Sequence, residues 1–232
     1  MIKTVLAVGC LAAFAFSSEA VGITFSNAQV DVTAIATADG PPGFDSQSSP
    51  PSALPVIASA DSVGPTSVAT AGAIGALGLL TTSADASVGV AIANAVATSH
   101  FSGSFLMSSA EPILSIDFAP FTFAVGSGIA ATSLFVSLTS GGNVLFQDFV
   151  SGPSVLTYLL APGVTNLLDL TLTSEASGGF PTQDVGNASS FGQVTLTSAV
   201  PLPAPWLLLL AGFGPLAAMK KKRAAQAASS TT

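Results

Sequence analysis

Between Thr4 and Met219 the chain contains no lysine and no arginine. Its five cations are Lys3 and the run Lys220, Lys221, Lys222 and Arg223. The body of the protein therefore has nothing with which to neutralise phosphate, which excludes nucleic acid as a partner. It should also be repelled by anionic membrane surfaces, and no side-chain salt bridge is expected within it. Charged residues make up 7% of the chain, against roughly 25% in ordinary soluble proteins. Cysteine is nearly absent: Cys10 is the single one, and it sits in an apolar leader. If that leader is removed, the remainder has no disulfide, even in an oxidising compartment. His100 is the single histidine, so a zinc site has too few ligands. The twelve acidic residues never stand closer than six positions apart. That spacing leaves no calcium-loop motif and no acidic repeat.

What is present lies first at the two ends. Lys3 precedes an apolar run from Val5 to Phe16, and Ser17-Ser18-Glu19-Ala20 comes next with small residues where signal peptidase reads them. Residues 1–20 thus read as a secretory signal peptide cut after Ala20. At the other end stands Val200-Pro201-Leu202-Pro203-Ala204, then a charge-free run to Met219, then Lys220-Lys221-Lys222-Arg223. As a helix, the apolar segment would reach roughly 27 Å, close to the bilayer core of about 30 Å. Trp206 lies where an indole favours the headgroup region, and the basic cluster marks the cytoplasmic side. The domain before it is then extracytoplasmic, and residues 224–232 form a cytoplasmic tail. The prolines keep the backbone extended just outside the membrane, where a protease can reach it.

This three-part tail resembles the PEP-CTERM sorting signals, in their VPLPA-type variant, over residues 200–223. The resemblance implies Val200, Pro201, Leu202, Pro203 and Ala204 as the sorting motif and Lys220, Lys221, Lys222 and Arg223 as the membrane stop. It implies an exosortase-type enzyme as partner, after signal peptidase, and exopolysaccharide as a surface companion. It also implies a protein held briefly at the inner membrane with its domain in the periplasm, then passed to the cell surface or outside. Pro215 inside the apolar run and the nine residues after Arg223 depart from the common pattern.

Residues 21–199 are long enough for one domain with a real core. Residues 40–53, rich in Pro and Ser, read as an exposed loop. Elsewhere strand signals dominate. Ile23 and Phe25 alternate on one parity and Val30 and Val32 on the other, which requires a bulge or turn around Ser26 to Ala28. A strand is expected over Ala86 to His100. Leu114, Ile116 and Phe118 alternate with Ser115 and Asp117, and Phe121, Phe123 and Val125 are read as repeating that inward pattern. Leu134, Val136 and Leu138 form another inward set, and Leu168, Leu170 and Leu172 face in while Asp169, Thr171 and Thr173 face out. Ser140-Gly141-Gly142-Asn143 signals a hairpin. These strands and turns predict an all-β, antiparallel β-sandwich, for which a jelly-roll-like winding is one form, flanked by an N-terminal signal helix and a C-terminal transmembrane helix. The fifteen phenylalanines are expected to supply much of its core.

Catalytic patterns are weak. Gly126-Ser127-Gly128-Ile129-Ala130-Ala131 fits a dinucleotide pattern, but the residues after it alternate like a strand where a helix is needed, so a β-turn is expected. A triad through His100 lacks a nucleophile elbow, and the histidine reads as a polar residue at a strand end. Asp117 with Asp148 or Asp169 could form a sugar-hydrolysing pair, with nothing local in support. No catalytic residue, metal ligand or cofactor is assigned. The sequence favours a non-enzymatic surface or matrix protein with a structural or adhesive role. A secreted polysaccharide-binding module or glycan hydrolase is the alternative.

Overall fold

A computed structural model of the chain describes residues 23–49, 55–89, 91–109, 112–179 and 186–199. The signal peptide with Ala20, the sorting motif Val200–Ala204, the apolar helix, the basic cluster 220–223 and the tail 224–232 lie outside the described residues. Within them are twelve strands: β1 (Ile23–Thr37), β2 (Gly43–Ser49), β3 (Val56–Val63), β4 (Ser67–Ala76), β5 (Leu79–Val88), β6 (Ala93–Met107), β7 (Ile113–Val125), β8 (Ile129–Ser140), β9 (Asn143–Val150), β10 (Ser154–Leu159), β11 (Asn166–Gly178) and β12 (Gly186–Ala199). They form two six-stranded sheets, ordered β2-β1-β6-β11-β8-β9 (sheet A) and β10-β7-β12-β5-β4-β3 (sheet B). Each pairing is antiparallel. The sheets pack face to face, with β1 over β4, β6 over β5 and β11 over β12, so the expected antiparallel sandwich is present.

Strands β5 to β12 pair as one long hairpin. β5 lies beside β12, β6 beside β11, β7 beside β10, and β8 with β9 forms the tip. The hairpin is rolled so that β7 also meets β12 and β8 also meets β11. β1 then extends sheet A beside β6, and β4 extends sheet B beside β5. Ile23 and Ala199 leave the sandwich at the same pole: Ile23 pairs with Met107, the last residue of β6, and Ala199 with Ile113, the first of β7.

Local chemistry explains the β8–β9 turn and the bend in β1. Gly141 and Gly142 take φ of 55° and 84° between β8 and β9, the left-handed pair that a two-residue hairpin requires. The parity switch in β1 is a bulge. Ser26 pairs with Ser104 and Gln29 with Ser102, so Asn27 and Ala28 together oppose Gly103. Asn27 takes φ of 52°, a conformation in which asparagine is enriched.

Four expectations need correcting. Gly43–Ser49, inside the stretch read as a loop, is edge strand β2. The strand expected over 86–100 is two strands in different sheets, because the apolar parity happens to continue through the turn between Val88 and Ala93. Phe121, Phe123 and Val125 are 60%, 52% and 51% exposed. They stand an odd number of residues from the buried Leu114, Ile116 and Phe118, and an unbulged strand then turns them to the opposite face. Phenylalanine supplies less of the core than expected, since among the described residues only Phe101, Phe105 and Phe118 are fully buried.

The core is graded instead. At the pole carrying Ile23 and Ala199 it is large: Phe101, Phe105, Phe118, Leu114, Leu138 and Leu168 are buried there. Toward the other pole it is small: Ala34, Ala36, Ala69, Ala84, Ala93, Ala95 and Ala97. Where side chains are small the sheets come close. Thr82 on β5 and Ser174 on β11 meet across the core at 2.7 Å. Two such short side chains span only about 8 Å between backbones, less than the roughly 10 Å of ordinary facing sheets. Ser99 on β6 likewise donates to the Ile74 carbonyl of β4 at 3.0 Å.

Edge protection without lysine uses aspartate. Asp45 of β2 accepts from the Ser59 amide of β3 at 3.1 Å, linking the two edge strands. A Cβ at Gly43 would collide with the backbone of Asp61, so only glycine permits that approach. Asp39, in the β1–β2 connection, accepts from the Thr66 and Ser67 amides, each at 3.1 Å, and from their hydroxyls at 2.7 and 2.5 Å. The Ser67 and Thr66 bonds hold its carboxyl down to about 2. A depressed carboxyl contributes stability above its unfolded value near 3.8, and this is lost as pH falls through the folded value near 2. Asp39→Asn should therefore be less stable than the parent at pH 7, with the difference closing as pH approaches 2 in denaturant melts. A gap of equal size at both pH values would remove Asp39 as its source.

Candidate functional site

On the outer face of sheet A the side chains form rows across the strands. The first row is Asp31, His100, Thr171, Phe135 and Phe149; the next is Gln29, Ser102, Asp169, Ser137 and Gln147. His100 stands in mid-strand, not at a strand end. Its Nδ1 lies 3.4 Å from Asp31 Oδ2 and its Nε2 3.3 Å from Asp169 Oδ2. The expectation of a body without side-chain salt bridges counted lysine and arginine alone, and the two His100 contacts are ion pairs only when the ring is protonated. A protonated ring donates to both carboxylates, whereas a neutral ring can donate to only one.

Asp31 is the better buttressed carboxylate. Burial raises its pKa, but hydrogen bonds from Ser48, Gln29 and His100, with the charge of His100, outweigh this and leave it below the usual range. Gln29 Nε2 donates to both its oxygens at 3.0 Å. The three side chains are about one-third to one-half exposed, where even full ion pairs stabilise by at most about 1 kcal/mol. They pin β1, β6 and β11 in register and leave Asp169 the most open of the three.

Beside Asp169 the surface drops into a trough of about 520 Å³, lined by Asn27, Ser102, Ser104, Ser137, Thr139, Leu167 and Asp169. The β1 bulge makes its rim, where Ser104 Oγ donates to the Ser26 carbonyl at 2.6 Å and fixes the bend. The hydroxyls of Ser102, Ser137 and Thr139 take part in no side-chain hydrogen bond among the described residues. Outside the trough, in the neighbouring row on edge strand β9, stands Phe149, 71% exposed, its ring 5.0 Å from that of Phe135.

The sequence's catalytic candidates do not converge. Asp117 pairs with Thr195 in sheet B and faces out from it, so the thickness of the sandwich separates it from Asp169 in sheet A. Asp148 lies on edge strand β9, with its own neighbour Phe149 donating an amide to it at 2.7 Å. Between Asp31 and Asp169 the imidazole fills the space that an attacking water would need. Gly126, Ser127 and Gly128 form the turn joining β7 to β8, with φ of 66° at Gly126 and a strand after it. Among the described residues no three His, Cys, Asp or Glu side chains gather as a metal site.

No family model matches the chain, and no curated protein matches it. Among solved structures, the crystal structure of the GH31 alpha-xylosidase from Xanthomonas citri is similar over 76% of this chain and 19% of its own length. The identity is 7% and the TM-score 0.22. This chain spans about a fifth of that protein, and at that level of likeness neither fold nor activity passes between them.

Proposed function

We propose that the chain is an exported, non-enzymatic protein of the cell surface or extracellular matrix, with a structural or adhesive role. In this reading residues 1–20 direct export and signal peptidase removes them after Ala20. Residues 200–223 then hold the domain at the inner membrane until an exosortase-type enzyme acts near Val200–Ala204. The observation that carries the reading is that Ile23 and Ala199 leave the sandwich at one pole. A leader and a membrane tail can then both serve the same pole, while both sheet faces stay free. β5–β12, wound as a rolled hairpin, resemble a jelly roll, an architecture found in lectin and capsid domains among others. Fold alone assigns no activity. A body solubilised by Ser, Thr, Asn and Gln suits an exterior where few charges are needed.

Replacing Pro201 and Pro203 together by alanine is expected to abolish C-terminal processing. The chain should then keep its tail by intact mass and stay in the membrane fraction. A double variant trimmed and released like the parent would refute the sorting assignment.

A further inference from the structure

We propose that the trough on the outer face of sheet A binds a polysaccharide chain that carries no acid groups. The inference rests on the surface-protein reading above and names the partner that such a protein would hold. The trough's size falls in the range of small-ligand sites, but its lining is unusual for one. It offers hydroxyls at Ser102, Ser137 and Thr139, an amide at Asn27 and a half-open carboxylate at Asp169. A ligand matching this set must both donate and accept at many closely spaced points, which is the chemistry of a polyol. Successive rows on the face are about 7 Å apart and neighbouring strands about 4.8 Å, so hydrogen-bonding groups recur along a path that an extended glycan can follow.

Phe149 supplies the second requirement. Its ring is exposed on the same sheet face, one row away from the polar floor, since Gln147, two residues before it, pairs with the trough residue Ser137. Packing on Phe135 fixes the ring, so that the apolar face of a sugar can lie on it at little entropic cost. Charge decides the class of glycan. The described chain has no lysine or arginine, and both ring nitrogens of its one histidine already face carboxylates. Uronate, sulfate or phosphate groups would meet Asp169 with no cation to balance them, so acidic polymers are disfavoured.

The test uses the full chain in mild detergent, run by affinity electrophoresis through gels containing a neutral glucan, a deacetylated amino-sugar polymer or a polyuronate. Retardation is expected in one or both of the first two and not in the third. Phe149→Ala and Asp169→Asn should each weaken retention by about tenfold or more, a loss of about 1.4 kcal/mol of binding. Phe121→Ala, which removes an exposed ring from the other sheet, should leave it unchanged. Unfolding midpoints of the three variants establish that they fold. Absence of retention in both acid-free polymers, equal retention in polyuronate, or retention that survives both the Phe149 and the Asp169 substitution overturns the site. Failure here leaves the processing test on Pro201 and Pro203 untouched, and failure of that test leaves the binding result standing.

Discussion

Phe101→Ala is expected to lower folding stability by about 3–5 kcal/mol, the cost of emptying a large aromatic site that cannot collapse. The ring is 1% exposed on β6. Phe25 meets it edge to face, with centroids 5.2 Å apart and planes at 80°, and Phe25 also leans on Phe105 at 5.7 Å. Three rings from two neighbouring strands thus form one packed unit at the wide pole. The sheets cannot close over a missing ring there, because Phe105, Leu168 and Leu138 keep them apart. Domains of this size are stable by only about 5–15 kcal/mol, so the variant should lose a large share of its margin. In urea the midpoint should fall by about 1–2 M with little change of slope. A shift below about 1 kcal/mol would contradict the idea that this pole carries most of the hydrophobic stabilisation.

Strand content and facing were legible where one residue type alternates without interruption. Leu168, Leu170 and Leu172 on β11 are buried as read, and so are Leu134, Val136 and Leu138 on β8. The β1 bulge was legible too, because two short apolar patterns of opposite parity admit few other connections. Long-range pairing was not. Gly89 marks a break between Val88 and Ala93, but a lone glycine does not say that the chain changes sheets, since sheet identity depends on which distant strand pairs with which. Phe121 and Phe123 misled for a different reason. Their size and apolar character point inward, whereas position relative to Phe118 decides their face, and β10 pairs only with Ile113–Phe118, leaving the rest of β7 an open edge on that side.

The trough was hidden for a chemical reason. Its residues come from β1, β6, β8 and β11, and most are Ser, Thr or Asn, the same residues that solvate the rest of this charge-poor surface. Local sequence cannot separate a hydroxyl that meets water from one that lines a concavity. The partners of His100 could have been narrowed, since a lone histidine in a body with acidic residues and no lysine or arginine has few choices. Its position in mid-strand, opposite Asp31 and diagonal to Asp169, needed the register.

The narrow pole should respond to the reverse change. Ala97→Leu adds three carbons at a fully buried position on β6, between Ala34 of β1 and Ser174 of β11. Overfilling a tight core costs about 1–3 kcal/mol, and more where the backbone must move. Here it must move, because the facing sheets are already held by the Thr82–Ser174 and Ser99–Ile74 contacts, which short side chains alone permit. A leucine at 97 would part the sheets and stretch those bonds, leaving the buried Thr82 and Ser174 with weakened partners. The upper end of that range is therefore expected in denaturant melts. Thr33→Leu, on the neighbouring strand β1 but on the outer face of the sheet, should change stability by less than about 0.5 kcal/mol. If both substitutions cost the same, close approach of the sheets is not what selects alanine at this pole.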